Sequence, residues 1–433
     1  MKKQIYQIAS LLFAMAIVNS SFAQDTTQKV IEGRRNDKSQ YKKPYIILIS
    51  ADGFRSDFTE LYDAKFLKSI SQTGVRAKFM TPSFPSLTFP NHYSIVTGLY
   101  PAHHGLVDNT YFDKTSGLEY RMGNPKMVQD GKWYGGTPLW VLAEQQKMLS
   151  ASFYWVGSEA DIQNIRPTYY YVYNEKIDIK GRIKAVKDWL SLPEDLRPHM
   201  ITFYFPQVDH EAHTYGPNDK HVEEAVQFVD SSVNALQAEL ATLNLPINYI
   251  FVSDHGMTKV DNDSTLSMPI AIDTAAFKVP WGDALIHLYA KDPSKIQSTY
   301  DALKKDSTIS VYKLEETPDY WHSKTSDDKY HRLGDLIVTP KLPKVFNFST
   351  RKTTLGKHGF DNHLNDMRAT FLAWGPAFKK GMSIENFENV NVYPIIANIL
   401  GLEYNEANID GKLNVLKTIL QPSPLTMKAS KNY

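Results

Sequence analysis

The chain has 433 residues and carries 48 Lys plus Arg against 47 Asp plus Glu, a balance without the basic footprint of a nucleic-acid binder, so that any recognition of phosphate has to be local. Its length suffices for a large core, as one big α/β domain with an insert or as two or three domain equivalents. It has no cysteine, which removes disulfides, thiolate metal ligands and a cysteine nucleophile together.

Lys2-Lys3, an apolar run from Ile8 to Val18, and Ser21-Phe22-Ala23 predict a secretory signal peptide over 1–23, with cleavage after Ala23. That run is too short to span a bilayer comfortably, and no later stretch reaches the roughly 20 apolar residues of a transmembrane helix. An exported bacterial protein, periplasmic or secreted, with no membrane span in the mature chain, is the expectation. Residues 24–42 are polar and aperiodic and are expected to form a flexible lead-in. The folded domain is predicted over 43–420, with 421–433 as a tail.

Tyr45 to Ser50 is a continuous apolar run of the kind buried on both faces of a parallel sheet, and it ends at Asp52-Gly53. Met200 to Phe205, Tyr249 to Val252 and Ala369 to Ala373 repeat that style. Between them, Val222, Val226, Val229, Val233, Leu236 and Leu240 step by four and three, which predicts a helix with one face on a sheet. Strand and helix in alternation give an α/β fold. From about 261 to 354 the character changes, with a strand from Ala284 to Ala290, a helix from Pro293 to Lys305 and Pro-rich loops, and an inserted α+β subdomain is expected there.

In open α/β sheets ligands sit at the carboxyl ends of the strands, where Asp52, Asp209 and Asp254 all fall. Asp209 and His213 are four apart and share a helical face, so they could chelate one ion. Asp209 could equally cap its helix and His213 lie on the surface. Thr88 precedes Pro90, and proline favours the first turn of a helix, which places the Thr88 hydroxyl and N–H at a helix N-terminus suited to phosphate. A threonine hydroxyl is a weak nucleophile unless a metal ion or base removes its proton; taken alone, Thr88 reads as an N-cap.

These segments together resemble the nucleotide pyrophosphatase/phosphodiesterase family of the alkaline phosphatase superfamily. The resemblance rests on Ser50-Ala51-Asp52-Gly53-Phe54-Arg55, Thr88-Phe89-Pro90-Asn91-His92, Thr97-Gly98-Leu99-Tyr100-Pro101, His104-Gly105 and Asp108-Asn109, then Asp209 to Gly216, Asp254-His255-Gly256-Met257 and His358-Gly359-Phe360-Asp361-Asn362. It runs from about Lys43 to Leu402 in the family's order. It implies an alkaline-phosphatase-like, mostly parallel sheet flanked by helices, with two zinc ions at its end. By family pattern Asp209, His213 and His358 hold one ion, and Asp52, Thr88, Asp254 and His255 the other. His363 competes with His358 for the last place, and His210 is left unassigned. Carboxylate and imidazole ligands suit zinc, although manganese is also compatible, and two such ions can clamp the attacking and leaving oxygens of an in-line displacement.

The resemblance further implies that Thr88 is the nucleophile, forming a covalent threonyl intermediate, and that Asn109 and the Thr88 N–H donate to a non-bridging oxygen. Asn109 could also be a plain turn residue. Phe89, Tyr173 and Tyr204 match positions where nucleotide-cleaving relatives stack a base, with core packing the competing reading for Tyr204. The activity implied is hydrolysis of nucleotide diesters and pyrophosphates to nucleoside monophosphates, with small-molecule partners rather than nucleic-acid duplexes. A phosphomonoesterase, a phosphocholine-ester diesterase and a catalytically dead binding module are the alternatives, and Arg166 would favour the first of them if it pointed at the phosphate.

Overall fold

The apolar runs become strands of a nine-stranded sheet in the computed structural model, which describes residues 26–422. The signal peptide expected over 1–23 and all but the first two residues of the tail lie outside the described residues. In spatial order the strands are Lys29–Val30, Tyr169–Tyr170, Ser150–Phe153, Met200–Phe205, Tyr45–Ala51, Ile247–Val252, Phe371–Trp374, Val75–Ala77 and Met382–Ile384. The run from Tyr169–Tyr170 to Ile247–Val252 is parallel throughout.

Every residue of Tyr45–Ala51 is buried, as a strand covered on both faces requires. Its side chains alternate between two cores: Ile46 and Leu48 enter one, Tyr45, Ile47 and Ile49 the other. The Lys220–Ala241 helix lays Val222, Val226, Val229, Val233, Leu236 and Leu240 into the second core, each worth about 1.5–3 kcal/mol relative to exposure. The Thr88–Thr97 helix enters the first core through Tyr93, Ile95 and Val96. Among the described residues no helix is long and apolar enough to cross a membrane.

Within the expected lead-in, backbone pairing begins at Lys29. Lys29 and Val30 pair antiparallel with Tyr170 and Tyr169. Asn36 is buried, its amide donating to the carbonyls of Glu194 and Arg197, and Asp37 caps the short turn Lys38–Gln40. Polar side chains here serve loop backbone, and such pairing leaves no hydrophobic period to read.

Within 261–354 a second, antiparallel sheet forms in the order Phe277–Lys278, Ile286–Ala290, Leu336–Pro340, Ile309–Lys313. The Ile296–Leu303 helix contributes Tyr300 and Leu303 to its core. A separate cluster joins Leu285, Ile337 and Trp321 to Phe84 and Leu87, and the rings of Phe84 and Trp321 stack at 3.7 Å. The segment leading into Thr88 is therefore walled by this second sheet.

Candidate active site

Three neighbouring parallel strands deliver the acids to one edge. Asp52 follows Tyr45–Ala51, Asp254 and His255 follow Ile247–Val252, and after Met200–Phe205 the Gln207–Tyr215 helix carries Asp209 and His213. Gly53 holds φ at +66°, and a Cβ there would lie 3.1 Å from Asp209 Cα, so the two acid-bearing turns close on each other only through glycine. Gly359, at φ +96°, brings the His358 loop so near the Thr88 turn that a Cβ would meet Leu87 at 2.7 Å. Pairing of Gly356–Lys357 with Thr258–Lys259 sets the same loop beside the Asp254-His255 turn. Thr88 opens its helix as the first helical residue, and the N-cap, Leu87, offers no side-chain cap to the first-turn amides.

The side chains form two adjoining groups. In the first, Asp209 Oδ1 lies 3.4 Å from His213 Nε2 and 3.6 Å from His358 Nε2, and the two imidazole nitrogens are 3.1 Å apart. In the second, His255 Nε2 lies 3.2 Å from Thr88 Oγ1, 3.0 Å from Asp254 Oδ2 and 3.5 Å from Asp52 Oδ1. Tetrahedral ligands at about 2.0–2.2 Å from an ion stand about 3.3–3.6 Å from one another, close to the spacing in both groups. Asp209, His255 and His358 also converge within 4.8 Å, and the rings of His255 and His358 stack at 3.7 Å, so His255 faces both groups.

The donor chemistry fits cations. Nδ1 of His213, His255 and His358 each meets a backbone carbonyl, of Gly356, Gly256 and Ser86 at 2.8, 2.8 and 3.0 Å. A carbonyl only accepts, so each Nδ1 carries the hydrogen and, in the neutral ring, each Nε2 turns a lone pair inward, as imidazoles at metal sites do. Two lone pairs facing across 3.1 Å repel without a positive charge between them. Asp52 Oδ1, Asp209 Oδ1 and Asp254 Oδ2 are buried without a hydrogen-bond donor, a costly state unless a cation is supplied.

Electrostatics divides these groups. Burial, with Asp254 and Asp209 alongside, pushes the Asp52 carboxyl well above its ordinary range. Burial would also raise Asp254, but His255 and His92 beside it win and hold it well below. Burial opposes charge on His255, yet Asp254 raises it, while burial with His255 and His213 nearby keeps His358 well below.

The other predicted residues are placed as follows. Asn109 Oδ1 accepts from the Phe89 N–H at 3.0 Å, which ties the asparagine to the turn that carries Thr88. Tyr173 and Tyr204 are brought together, ring centroids 6.0 Å apart and edge to face. Tyr173 is exposed and donates to Glu175, whereas the Tyr204 hydroxyl donates to Asp52 Oδ2 at 2.6 Å. Phe89 packs instead toward Tyr120, at 6.4 Å. Arg166 donates to the Glu159 carbonyl and lies 3.8 Å from Asp161. His363 is exposed and stacked on Tyr320 at 3.8 Å, and His210 is exposed beside Glu175; neither joins the cluster. The Tyr204 bond to Asp52 and the carbonyl partners of His213 and His358 have no sequence signature, because they depend on pairing between distant segments; the Gly256 partner of His255 is its immediate chain neighbour.

Asp108, next to Asn109, accepts from the Thr110 N–H at 3.1 Å, and burial pushes its carboxyl up to about 8. The folded state then keeps a proton that the unfolded chain, titrating near 3.8, releases. Its contribution to stability is full below the unfolded value and is lost as pH rises toward the folded one. Asp108→Asn is expected to keep its thermal midpoint from about pH 5 to pH 8 where the parent chain declines; parallel midpoint curves for the two proteins would refute this.

Comparison with known proteins places the chain in a family. A family model described as type I phosphodiesterase/nucleotide pyrophosphatase matches residues 46–361. The chain is 33% identical over 406 residues to ectonucleotide pyrophosphatase/phosphodiesterase family member 1 of Rattus norvegicus, covering 89% of this chain and 44% of that protein. It thus spans less than half the length of that relative. It is 31% identical over 405 residues to a pyrophosphatase/phosphodiesterase of Schizosaccharomyces pombe, covering 89% of this chain and 83% of that one. Among solved structures, murine ectonucleotide pyrophosphatase/phosphodiesterase 5, in an inactive threonine-to-alanine form in complex with AMP, superposes with a TM-score of 0.81 at 26% identity, over 88% of this chain and 100% of that one. The superposition bears out the expected alkaline-phosphatase-like α/β fold.

Proposed function

The chain belongs to the type I phosphodiesterase/nucleotide pyrophosphatase family, and we propose that it is an exported two-zinc phosphodiesterase that hydrolyses nucleotide diesters and pyrophosphates to nucleoside monophosphates. The observation that carries this is the place of Thr88 Oγ1, 3.2 Å from His255 Nε2, which is itself within 3.5 Å of the Asp254 and Asp52 carboxylates. A hydroxyl at a helix N-terminus, among ligand atoms, is a nucleophile placed where phosphate binds.

Asp52, Thr88, Asp254 and His255 would hold one ion, and Asp209, His213 and His358 the other. Bound there, the pair supplies acidity to the hydroxyl and charge stabilisation to the attacking and leaving oxygens. Thr88 gives up its hydroxyl proton to solvent and Oγ1 attacks phosphorus in line, while the bond to the leaving oxygen breaks and the leaving group departs, taking a proton from solvent where it needs one. A phosphothreonine-type ester results. Water then attacks from the side the leaving group vacated, Oγ1 leaves and regains a proton, and configuration at phosphorus is retained. The Thr88 N–H and the Asn109 amide nitrogen serve a non-bridging oxygen, and Phe89, Tyr173 and Tyr204 offer aromatic surface to a base.

The cations around the site support a diester over a monoester. A monoesterase needs Arg or Lys donors for a doubly charged phosphoryl group. Arg166 is engaged by Glu159 and Asp161, Lys357 lies 2.5 Å from Asp283, and Arg55 is bidentate to Asp57. The test is a side-by-side rate comparison of a nucleotide phenyl diester, a simple aryl monoester and a phosphocholine ester. The nucleotide diester is expected to be the best substrate, and a clear monoester preference would overturn the assignment. Phe89→Ala and Tyr173→Ala are each expected to raise KM for the nucleotide diester by about 5- to 100-fold, the value of one base stack, and to leave the phosphocholine ester unaffected. Equal effects on both substrates would remove these residues from base binding.

A further inference from the structure

His92 lies one helical turn after Thr88, and its side chain is completely buried. Its ring touches three elements. Nε2 is 2.8 Å from the hydroxyl of Ser50, near the end of the Tyr45–Ala51 strand. Nδ1 is 3.0 Å from the Thr88 carbonyl and 3.2 Å from Asp254 Oδ2. Both atoms facing Nδ1 are acceptors, so Nδ1 carries the hydrogen. The better-directed bond goes to the Thr88 carbonyl, since Asp254 Oδ2 has no hydrogen-bond donor by geometry; the carboxylate feels the same N–H electrostatically.

The ring is locked in that pose. The Trp155 indole N–H donates to the His92 carbonyl at 2.9 Å, and the rings of Trp155 and Tyr204 meet it edge to face at 5.1 and 5.3 Å. Tyr204 in turn donates to Asp52. Asp254 Oδ1 is held by the Gly53 N–H at 3.1 Å, so His92 faces the oxygen that points at His255. If the space needed only filling, an apolar side chain would do so without desolvating two ring nitrogens.

We propose that His92 is a positioning residue, whose Nδ1–H couples the first turn of the Thr88 helix to Asp254 and so sets the nucleophile in register with the Asp52, Asp254 and His255 group. It touches neither the substrate nor an ion. The inference rests on the two-zinc reading above, and its test therefore measures zinc apart from activity.

The test compares His92→Phe, which fills the volume without the hydrogen, with His92→Asn, whose amide nitrogen can stand where Nδ1 stands. Zinc content and affinity are read by competition with a chromogenic chelator, alongside kcat, KM and the thermal midpoint. In His92→Phe one of the two zinc ions is expected to bind about 10- to 100-fold more weakly, the effect of losing a partner behind a ligand, with the other unchanged. The same variant is expected to lose kcat about 10- to 100-fold with KM little changed. His92→Asn is expected to recover most of both losses. Should His92→Phe fail to fold, His92→Gln, which can keep the Ser50 contact but not the Nδ1–H, is expected to show the same weakened ion. Two zinc ions held at parental affinity in a folded His92→Phe, or an Asn variant as impaired as the Phe variant, would leave His92 a packing residue and overturn the inference alone. A parent chain that binds no zinc overturns the two-zinc reading and the inference with it.

Discussion

Thr88→Ala is expected to cut turnover of a nucleotide phenyl diester by at least on the order of 10⁴-fold, the usual consequence of deleting an attacking atom from a preorganised site. The loss should be confined to chemistry. Thr88 is the first residue of its helix and its side chain is not the cap, which is Leu87, so alanine removes no capping bond and has the better helix propensity. Asp52, Asp254 and His255, a group that could hold an ion, are untouched, so on the proposed two-zinc reading zinc content should remain near two per chain, and KM should change far less than kcat. A second readout isolates the step: brief mixing with substrate followed by acid quenching should leave phosphate covalently on the parent chain and none on Thr88→Ala. Parental turnover in the alanine variant would remove Thr88 from the role of nucleophile, whatever the zinc content.

How much of this site was legible beforehand follows from which contacts are local. Parallel strands buried on both faces read as unbroken apolar runs, so Asp52, Asp209 and Asp254 stood out as acids just past Tyr45–Ala51, Met200–Phe205 and Ile247–Val252. That these strands are neighbours, with Tyr45–Ala51 in the middle, is a matter of pairing and has no local signature. His358 and His363 could not be separated by spacing, since both sit in one loop; what separates them is a bond from His358 Nδ1 to the Ser86 carbonyl and a stack of His363 on Tyr320. The lead-in carries no such signature, because the pairing of Lys29–Val30 with Tyr169–Tyr170 lasts two residues and buries little. By sequence Tyr204 reads as either a stacking surface or core, and the structure adds a hydrogen bond to Asp52 that belongs to neither. The stack of Trp321 on Phe84, which joins the second sheet to the Thr88 segment, links two loops through aromatic faces and breaks no period in either.

Removal of divalent metal is expected to abolish turnover and soften the fold together, because the same atoms answer for both. Without cations, Asp52, Asp209 and Asp254 leave buried, undonated oxygens in one cluster, and charge on Asp52 is disfavoured there by burial and by its two acidic neighbours. On the proposed reading, two bound ions would replace this repulsion with attraction. An ion that binds only the folded chain stabilises it by about 4 kcal/mol when its free concentration is 1,000 times Kd, so two sites together are a large part of a typical folding free energy of about 5–15 kcal/mol. Chelation should therefore lower the thermal midpoint by several degrees and bring nucleotide diester hydrolysis to background, and two equivalents of zinc per chain should restore both. Asp209→Ala separates the contributions. It removes the carboxylate that joins His213 and His358 and leaves the Asp52, Asp254 and His255 group whole, so that about one zinc should remain per chain, with turnover reduced by at least about 100-fold, the several kcal/mol of transition-state stabilisation expected from one ion. Full activity in rigorously metal-free protein would refute the two-ion arrangement, and two zinc ions retained in Asp209→Ala would show that His213 and His358 bind their ion without it.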